Sequence, residues 1–219
     1  MRGVNAELFD ELPPREGSRE LADGAWLLHG FALDAADTLL AGIETVVSTA
    51  PFRHLVTPGG RRMSVAMSNC GELGWHSDKR GYRYVDRDPL TGKPWPDMPP
   101  ALRQLAQQAA ERTGYPNFNP DVCLINRYEP GTRLTLHQDR DEGQFDAPIV
   151  SVSLGVAARF LFGGLTRSDH CQRIPVGHGD VVVWGGPSRM AYHGIAPLAE
   201  SHHPATGKLR YNLTFRSAH

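Results

Sequence analysis

After Pro120 the chain breaks into short runs of alternating polarity, at 122–128, 132–139, 149–154, 159–162, 180–184 and 209–216, with turn residues between them. Period-two alternation gives each run one apolar face, and strands this short can cover that face only by packing sheet against sheet or sheet against helix. Two helical patterns lie upstream. Ala35, Leu39, Leu40, Ile43, Val46 and Val47 follow helical spacing, with Asp34 as the expected N-cap and Pro51 at the end. A second helix is expected over 101–113: Pro99 and Pro100 precede it, Leu102, Leu105, Ala106 and Ala109 form its stripe, and Gly114 stands where a C-terminal cap belongs. Two helices followed by many short strands predict a mainly β domain, a sandwich or jelly-roll barrel with the helices packed outside. Residues 53–98, with Pro58-Gly59-Gly60, several arginines, Trp75, Tyr82 and Tyr84, read as short strands and loops that could serve as a lid.

Composition excludes several classes. At 40% hydrophobic and 21% charged residues the chain is neither disordered nor membrane-embedded. Its longest apolar stretch, 149–165, is interrupted by Ser151, Ser153 and Arg159 and is too broken for a bilayer span. Glu7, Asp10, Glu11 and Glu16 leave no apolar core for a secretory signal, so a cytoplasmic location is expected. Cys70, Cys123 and Cys171 lack metal-site spacing and read as reduced thiols. Residues 1–20, polar and containing Pro13-Pro14, are expected to form a loose arm before a single domain. A net charge of -1 gives whole-chain balance no part in nucleic-acid binding, so local patches must carry any such case.

The tripeptide His-x-Asp occurs three times, as His76-Ser-Asp78, His137-Gln-Asp139 and His178-Gly-Asp180. Composition alone yields roughly 0.6 copies, so the tripeptide does not by itself choose a ligand pair. Context separates them. His137 and Asp139 end an alternating run in which residues two apart share a face, and the turn Glu129-Pro130-Gly131 is expected to pair that run with 122–128 as a hairpin. This places Asn126 and Tyr128 on one face of the partner strand. The glycine of His178-Gly-Asp180 suggests a turn with surface polar groups, and His76-Ser-Asp78 lies in what reads as a charged loop. A third ligand is available in Tyr192-His193-Gly194, although a histidine hydrogen-bonded beside a turn reads the same way. Two imidazoles and one carboxylate can hold iron(II) on one face and leave the opposite positions open.

In Arg210-Tyr-Asn-Leu-Thr-Phe-Arg216 the polar residues Arg210, Asn212, Thr214 and Arg216 fall on one face, and Tyr211, Leu213 and Phe215 on the other. A half-exposed strand with solvated arginines is one reading. The other turns the polar face toward the metal, where two arginines need an anionic partner. Their Cα atoms lie about 20 Å apart along a strand, and side chains reaching inward would end some 7 Å apart, bracketing a five-carbon dicarboxylate.

Asn126-Arg-Tyr128, His137-Gln-Asp139, Trp184-Gly-Gly186, Tyr192-His-Gly194 and the strand from Arg210 to Arg216 together resemble, in order and spacing, the AlkB family of iron(II)- and 2-oxoglutarate-dependent nucleic-acid demethylases, its bacterial members in particular. The resemblance runs from about residue 22 to 217. It implies a double-stranded β-helix, a jelly roll, with an N-terminal nucleotide-recognition lid: one dioxygenase domain over 21–219, its lid at 53–98 and its core at 120–217. It implies His137, Asp139 and His193 as iron ligands, and Asn126, Tyr128, Arg210, Asn212 and Arg216 as the 2-oxoglutarate pocket. Trp75 would stack on a target base opposite His137, and Asp141 would meet the exocyclic amino group. Met67, Tyr82 and Arg167 resemble other residues of the substrate side. The implied reaction is oxidative demethylation of 1-methyladenine or 3-methylcytosine in DNA, with 2-oxoglutarate and oxygen converted to succinate and carbon dioxide and formaldehyde released. The alternative is the same chemistry on methylated RNA or another methylated substrate, and a protein that binds modified bases without turnover is a further class. The expected partner is single- or double-stranded DNA, or RNA, contacted by a monomer through Arg53, Arg61, Arg62, Lys79, Arg80 and Arg83. Two positions depart from the family pattern: the loop from Trp75 to Arg80 is more charged, and Ala191 stands in place of a bulkier side chain.

Overall fold

The computed structural model describes residues 17–143 and 145–219. Strands β1 (Gly17–Ala22) and β2 (Ala25–His29) precede helix α1 (Ala36–Thr49); β3 (Ala66–Gly71), β4 (Gly74–Asp78) and β5 (Gly81–Val85) precede helix α2 (Pro100–Arg112). The rest is β6 (Val122–Tyr128), β7 (Leu134–His137), β8 (Ile149–Gly155), β9 (Ala158–Phe162), β10 (Gln172–Val176), β11 (Val181–Trp184), β12 (His193–Ile195) and β13 (Arg210–Arg216). A seven-stranded antiparallel sheet runs β1-β2-β11-β8-β13-β6-β3, a four-stranded sheet runs β10-β9-β12-β7, and β4 and β5 form a separate hairpin. This is the expected mainly β jelly roll with outer helices.

Alternation sorts each strand of the large sheet between two cores. Leu213 and Phe215 of β13, Cys123 and Ile125 of β6, and Val150, Val152 and Leu154 of β8 turn outward to a cluster with Leu39 and Ile43 of α1 and Leu102 and Leu105 of α2. Leu27, Leu124, Tyr128, Ile149 and Trp184 turn inward and meet Phe160, Phe162 and Ile195 of the small sheet. The helices cross closely because Gly42 carries no side chain: a Cβ there would lie 2.6 Å from Leu102 Cδ1. Pro100 opens α2, where its missing N–H costs nothing, and Gly114 follows the helix with φ of 89°. Among the described residues no helix is long and apolar enough to cross a membrane.

Four expectations are corrected. Asp34 does not cap α1: the helix starts at Ala36 behind Ala35, after main-chain turns from Ala35 to Ala32 and from Ala36 to Leu33. Residues 17–20 of the expected arm form most of β1, paired along β2, while residues 1–16 lie outside the described part. β6 and β7 are not a hairpin. Both edges of β6 are occupied, by β13 and β3, so the turn at Glu129–Thr132 carries the chain across to the small sheet, where β7 pairs with β12. Finally, His76-Ser-Asp78 lies in strand β4, not in a loop, and β3, within the segment read as a lid, is the edge of the large sheet.

Candidate active site

The β7–β12 pairing creates the site. His137 is the direct cross-strand partner of His193, and the rings stand 4.4 Å apart between centroids. Asp139 follows two residues after His137, and one ligand atom from each of the three residues lies within 4.8 Å of the others. His137 Nε2 is 3.5 Å from Asp139 Oδ1, and His193 Nε2 is 3.6 Å from Oδ2. Each Nδ1 faces a main-chain carbonyl, of Thr135 at 2.9 Å and of Ala191 at 3.1 Å. Donation from Nδ1 leaves the Nε2 lone pairs converging on a carboxylate, an arrangement that suits a cation. Burial and the neighbouring His137 hold His193 below the usual histidine range. Burial opposes ionisation of Asp139, but the charge of Arg216 prevails and keeps its carboxyl well below the usual range. The donor set, two imidazoles and a carboxylate in reach of one point, fits iron(II).

The other two pairs do different work. Asp78 takes both ends of the Arg83 guanidinium, at 2.9 and 2.7 Å. Asp180 accepts from the amides of Gly30 and Gly177, each at 2.8 Å, while His178 Nδ1 accepts from the Gly155 amide at 2.9 Å. The turn expected at Gly179 is present, with φ of 82°, and its polar groups are partly buried structural acceptors rather than surface groups.

A cleft of about 680 Å³ opens over the triad. Its wall includes Asn126, Tyr128, Asn212 and Arg216, and also all five residues singled out for the substrate side: Met67, Trp75, Tyr82, Asp141 and Arg167. Trp75 stacks on Tyr82 with centroids 5.6 Å apart and 15° between planes, and its Nε1 donates to Asp141 Oδ2 at 3.2 Å.

Arg210 lies off the cleft wall, with its guanidinium carbon 4.9 Å from the Tyr128 ring centroid. It is 1% exposed, and Nη2 donates to Ser153 Oγ at 2.9 Å, but Nε and Nη1 have no hydrogen-bond partner among the described residues. A buried cation with two orphaned donors fits a ligand carboxylate. Asn126 Oδ1 and Arg216 Nη1 are also buried without hydrogen-bond partners among the described residues. The symmetrical bracket expected of the two arginines is corrected. Arg216 already gives Nε and Nη2 to Asp139 Oδ2, at 2.8 and 2.5 Å, so only Arg210 keeps most of its fork for a ligand.

Among the cations expected to meet a nucleic-acid backbone, Arg53 is held by both oxygens of Asp88 and Arg83 by Asp78. Those two have their charge met internally, and within the charged 75–80 segment it is Asp78 that pairs with Arg83. Arg61 and Arg62 line the cleft, joined by Arg133 and Arg140, which the sequence did not single out. Ala191, the other departure, is buried and contributes its carbonyl to His193. Sequence reasoning also missed Tyr84, Glu142 and Arg189. Glu142 reads as part of a solvated charge run, Asp139-Arg-Asp-Glu142, yet is 5% exposed.

Residues 24–216 match the family model described as the 2OG-Fe(II) oxygenase superfamily. The chain is 59% identical to the alpha-ketoglutarate-dependent dioxygenase AlkB of Salmonella typhimurium and 56% identical to that of Escherichia coli, over 97% of each chain in both cases. The solved structure of OsALKBH1 superposes with a TM-score of 0.79 at 27% identity, covering 92% of this chain and 100% of that one. The triad suited to iron, the buried Arg210 guanidinium and these similarities lead to one conclusion: the chain belongs to the 2OG-Fe(II) oxygenase superfamily and, within it, to the AlkB family of iron(II)- and 2-oxoglutarate-dependent dioxygenases.

Proposed function

We propose that the chain demethylates N-alkylated bases in DNA, 1-methyladenine and 3-methylcytosine, working as a monomer in the cytoplasm. The observation that carries this reading is the common cleft: Met67, Trp75, Tyr82, Asp141 and Arg167 converge over the triad. His137, Asp139 and His193 hold iron(II), Arg210 takes the far carboxylate of 2-oxoglutarate, and Asn126, Tyr128, Asn212 and Arg216 complete its pocket. When bound, iron(II) with 2-oxoglutarate and oxygen supplies an oxidant able to hydroxylate an N-methyl group. The hydroxymethyl base then releases formaldehyde.

The chain's own side chains position the base. A ring nitrogen bearing a methyl group makes 1-methyladenine and 3-methylcytosine cationic, and the face of Trp75 attracts such a ring. Asp141 keeps Oδ1 for the exocyclic amino group while Trp75 holds Oδ2. Methylation at the pairing edge also removes normal base pairing, so extracting the base costs less than flipping an intact one. Within residues 53–98, the β4–β5 hairpin that bears Trp75 and Tyr82 serves as the nucleotide-recognition lid, while β3 belongs to the large sheet.

Incubation of methylated DNA and RNA oligonucleotides with iron(II), 2-oxoglutarate and oxygen, followed by mass analysis, tests the reading. Loss of the methyl group from DNA is expected. Its retention, with succinate still formed, sinks the substrate assignment, and loss from RNA alone favours the RNA reading. Trp75→Ala is expected to raise KM for the methylated oligonucleotide about 10-fold, from lost stacking and cation–π attraction, with little change in succinate formed without it.

Backbone contact falls to Arg61, Arg62, Arg133, Arg140 and Arg167. If each meets one phosphate of a single strand, log affinity against log salt falls with a slope of about -3.5. A slope as steep as about -6 in a fluorescence-anisotropy titration contradicts so small a set.

A further inference from the structure

Beyond Asp139 the chain continues Arg140-Asp141-Glu142, and the last of these is built into the site in a way that the roles above do not use. Arg216 Nε, besides donating to Asp139 Oδ2, lies 3.2 Å from Glu142 Oε1. Arg189 Nη2 lies 3.4 Å from Glu142 Oε2, and its Nη1 donates to the main-chain carbonyl of Asp139 at 2.9 Å. Asp139, Arg216, Glu142 and Arg189 thus close a buried ring of alternating charge with no net charge. One hydroxyl reaches it from outside: Tyr84 of β5 donates to Glu142 Oε1 at 2.7 Å. Tyr84 is the cross-strand partner of Trp75, which itself holds Asp141. The β4–β5 hairpin therefore grips the segment after Asp139 at two successive residues.

The ring has a consequence for the metal carboxylate. Two hydrogen bonds from Arg216 occupy Oδ2, and Oδ1, on the His137 side, is left for an ion. Glu142 limits how far Arg216 can be drawn onto Asp139, because the same Nε faces both carboxylates. Buried ion networks are a weak source of stability, since desolvation offsets most of their attraction. Fixing a ligand's orientation is a role in which they have an advantage over apolar packing.

We propose that Glu142 and Tyr84 are positioning residues for the metal carboxylate. Glu142 balances Arg216 so that Asp139 offers one oxygen to the metal, and the Tyr84 hydroxyl ties this balance to the hairpin that carries Trp75. The inference rests on the assignment of the metal site and is independent of the nucleic-acid substrate.

Manganese(II) binding to the apo-protein, followed by calorimetry and by the electron paramagnetic resonance of the free ion, tests it without turnover or oligonucleotide. Glu142→Gln keeps the volume and the acceptor for Tyr84 but removes the charge, leaving Arg216 to Asp139 alone. Affinity is expected to weaken on the order of 10-fold, as for loss of other outer partners of a metal ligand. Tyr84→Phe, one bond further from the ion, is expected to weaken it between about 2- and 10-fold. Apo-protein melting temperatures are measured alongside. A purely structural role lowers them and leaves the manganese(II) affinity of the folded protein within about twofold of wild type, which overturns the proposal. Unchanged affinity in Tyr84→Phe alone overturns the tie to the hairpin. Should Glu142→Gln fail to fold, Tyr84→Phe decides.

Discussion

Asp139→Ala is expected to abolish turnover, measured as succinate formed from 2-oxoglutarate, while Asp78→Ala and Asp180→Ala keep it within a few-fold of wild type per folded molecule. The three residues occupy the same place in the same tripeptide, so the comparison isolates geometry from sequence. Asp180 also has an imidazole from outside its tripeptide nearby, His29 Nδ1 at 3.7 Å from Oδ1, but among the described residues only Asp139, with His137 and His193 at 3.5 and 3.6 Å, belongs to a metal-competent group. Removing it leaves two imidazoles, which do not retain iron(II) at working concentrations. The loss should therefore exceed the roughly 10–100-fold typical of an outer-shell partner. Asp180→Ala has a different signature: two amide donors lose a charged acceptor, each such bond contributing roughly 1.5–3 kcal/mol, so the melting temperature falls while folded protein stays active. Asp78→Ala frees Arg83 on a partly exposed hairpin. Full activity in Asp139→Ala, or an inactive but folded Asp78→Ala, would overturn the ligand assignment.

Much of this was legible in the chain because alternation is a local property. The run from Arg210 to Arg216 announces a strand with one polar and one apolar face, and the structure places Leu213 and Phe215 against the helices and Asn212 and Arg216 on the cleft wall. β6 is found at the residues its pattern marks. What alternation does not encode is which strand lies beside which. The Glu129-Pro130-Gly131 turn is compatible with a hairpin and with a crossing between sheets, and only the occupation of both β6 edges by β13 and β3 decides. β1 and β10 escaped notice for a related reason. Gly17–Ala22 is mostly exposed and polar, and Gln172–Val176 contains a proline at a sheet edge. Glu142 was hidden more deeply. A carboxylate in a charged run ordinarily faces water, and its burial follows from two arginines that arrive from positions 189 and 216.

Arg210→Met is expected to separate ligand binding from stability in opposite directions. The wild-type guanidinium is buried with one hydrogen bond, to Ser153, and no ion pair among the described residues; burial pulls its pKa below the usual arginine range. A charge held this way weakens the apo-protein, since its desolvation is not repaid by a counter-ion. Methionine fills similar volume against Tyr128 without that cost, so the apo melting temperature should hold steady or rise, even though the Ser153 bond and the contact of the guanidinium with Tyr128 are given up. Binding of 2-oxoglutarate should suffer. Removing one partner of a buried, hydrogen-bonded charge pair costs about 2–5 kcal/mol, which raises KM for 2-oxoglutarate on the order of 30-fold or more. Arg210→Lys keeps a point charge but loses the planar fork and should fall between the two. Steady-state kinetics with varied 2-oxoglutarate, together with thermal melts of the manganese(II)-loaded protein with and without the keto acid, check both halves. A mutant destabilised like an ordinary core lesion, with KM for 2-oxoglutarate unchanged, would make Arg210 a structural cation and leave the far carboxylate to be held elsewhere.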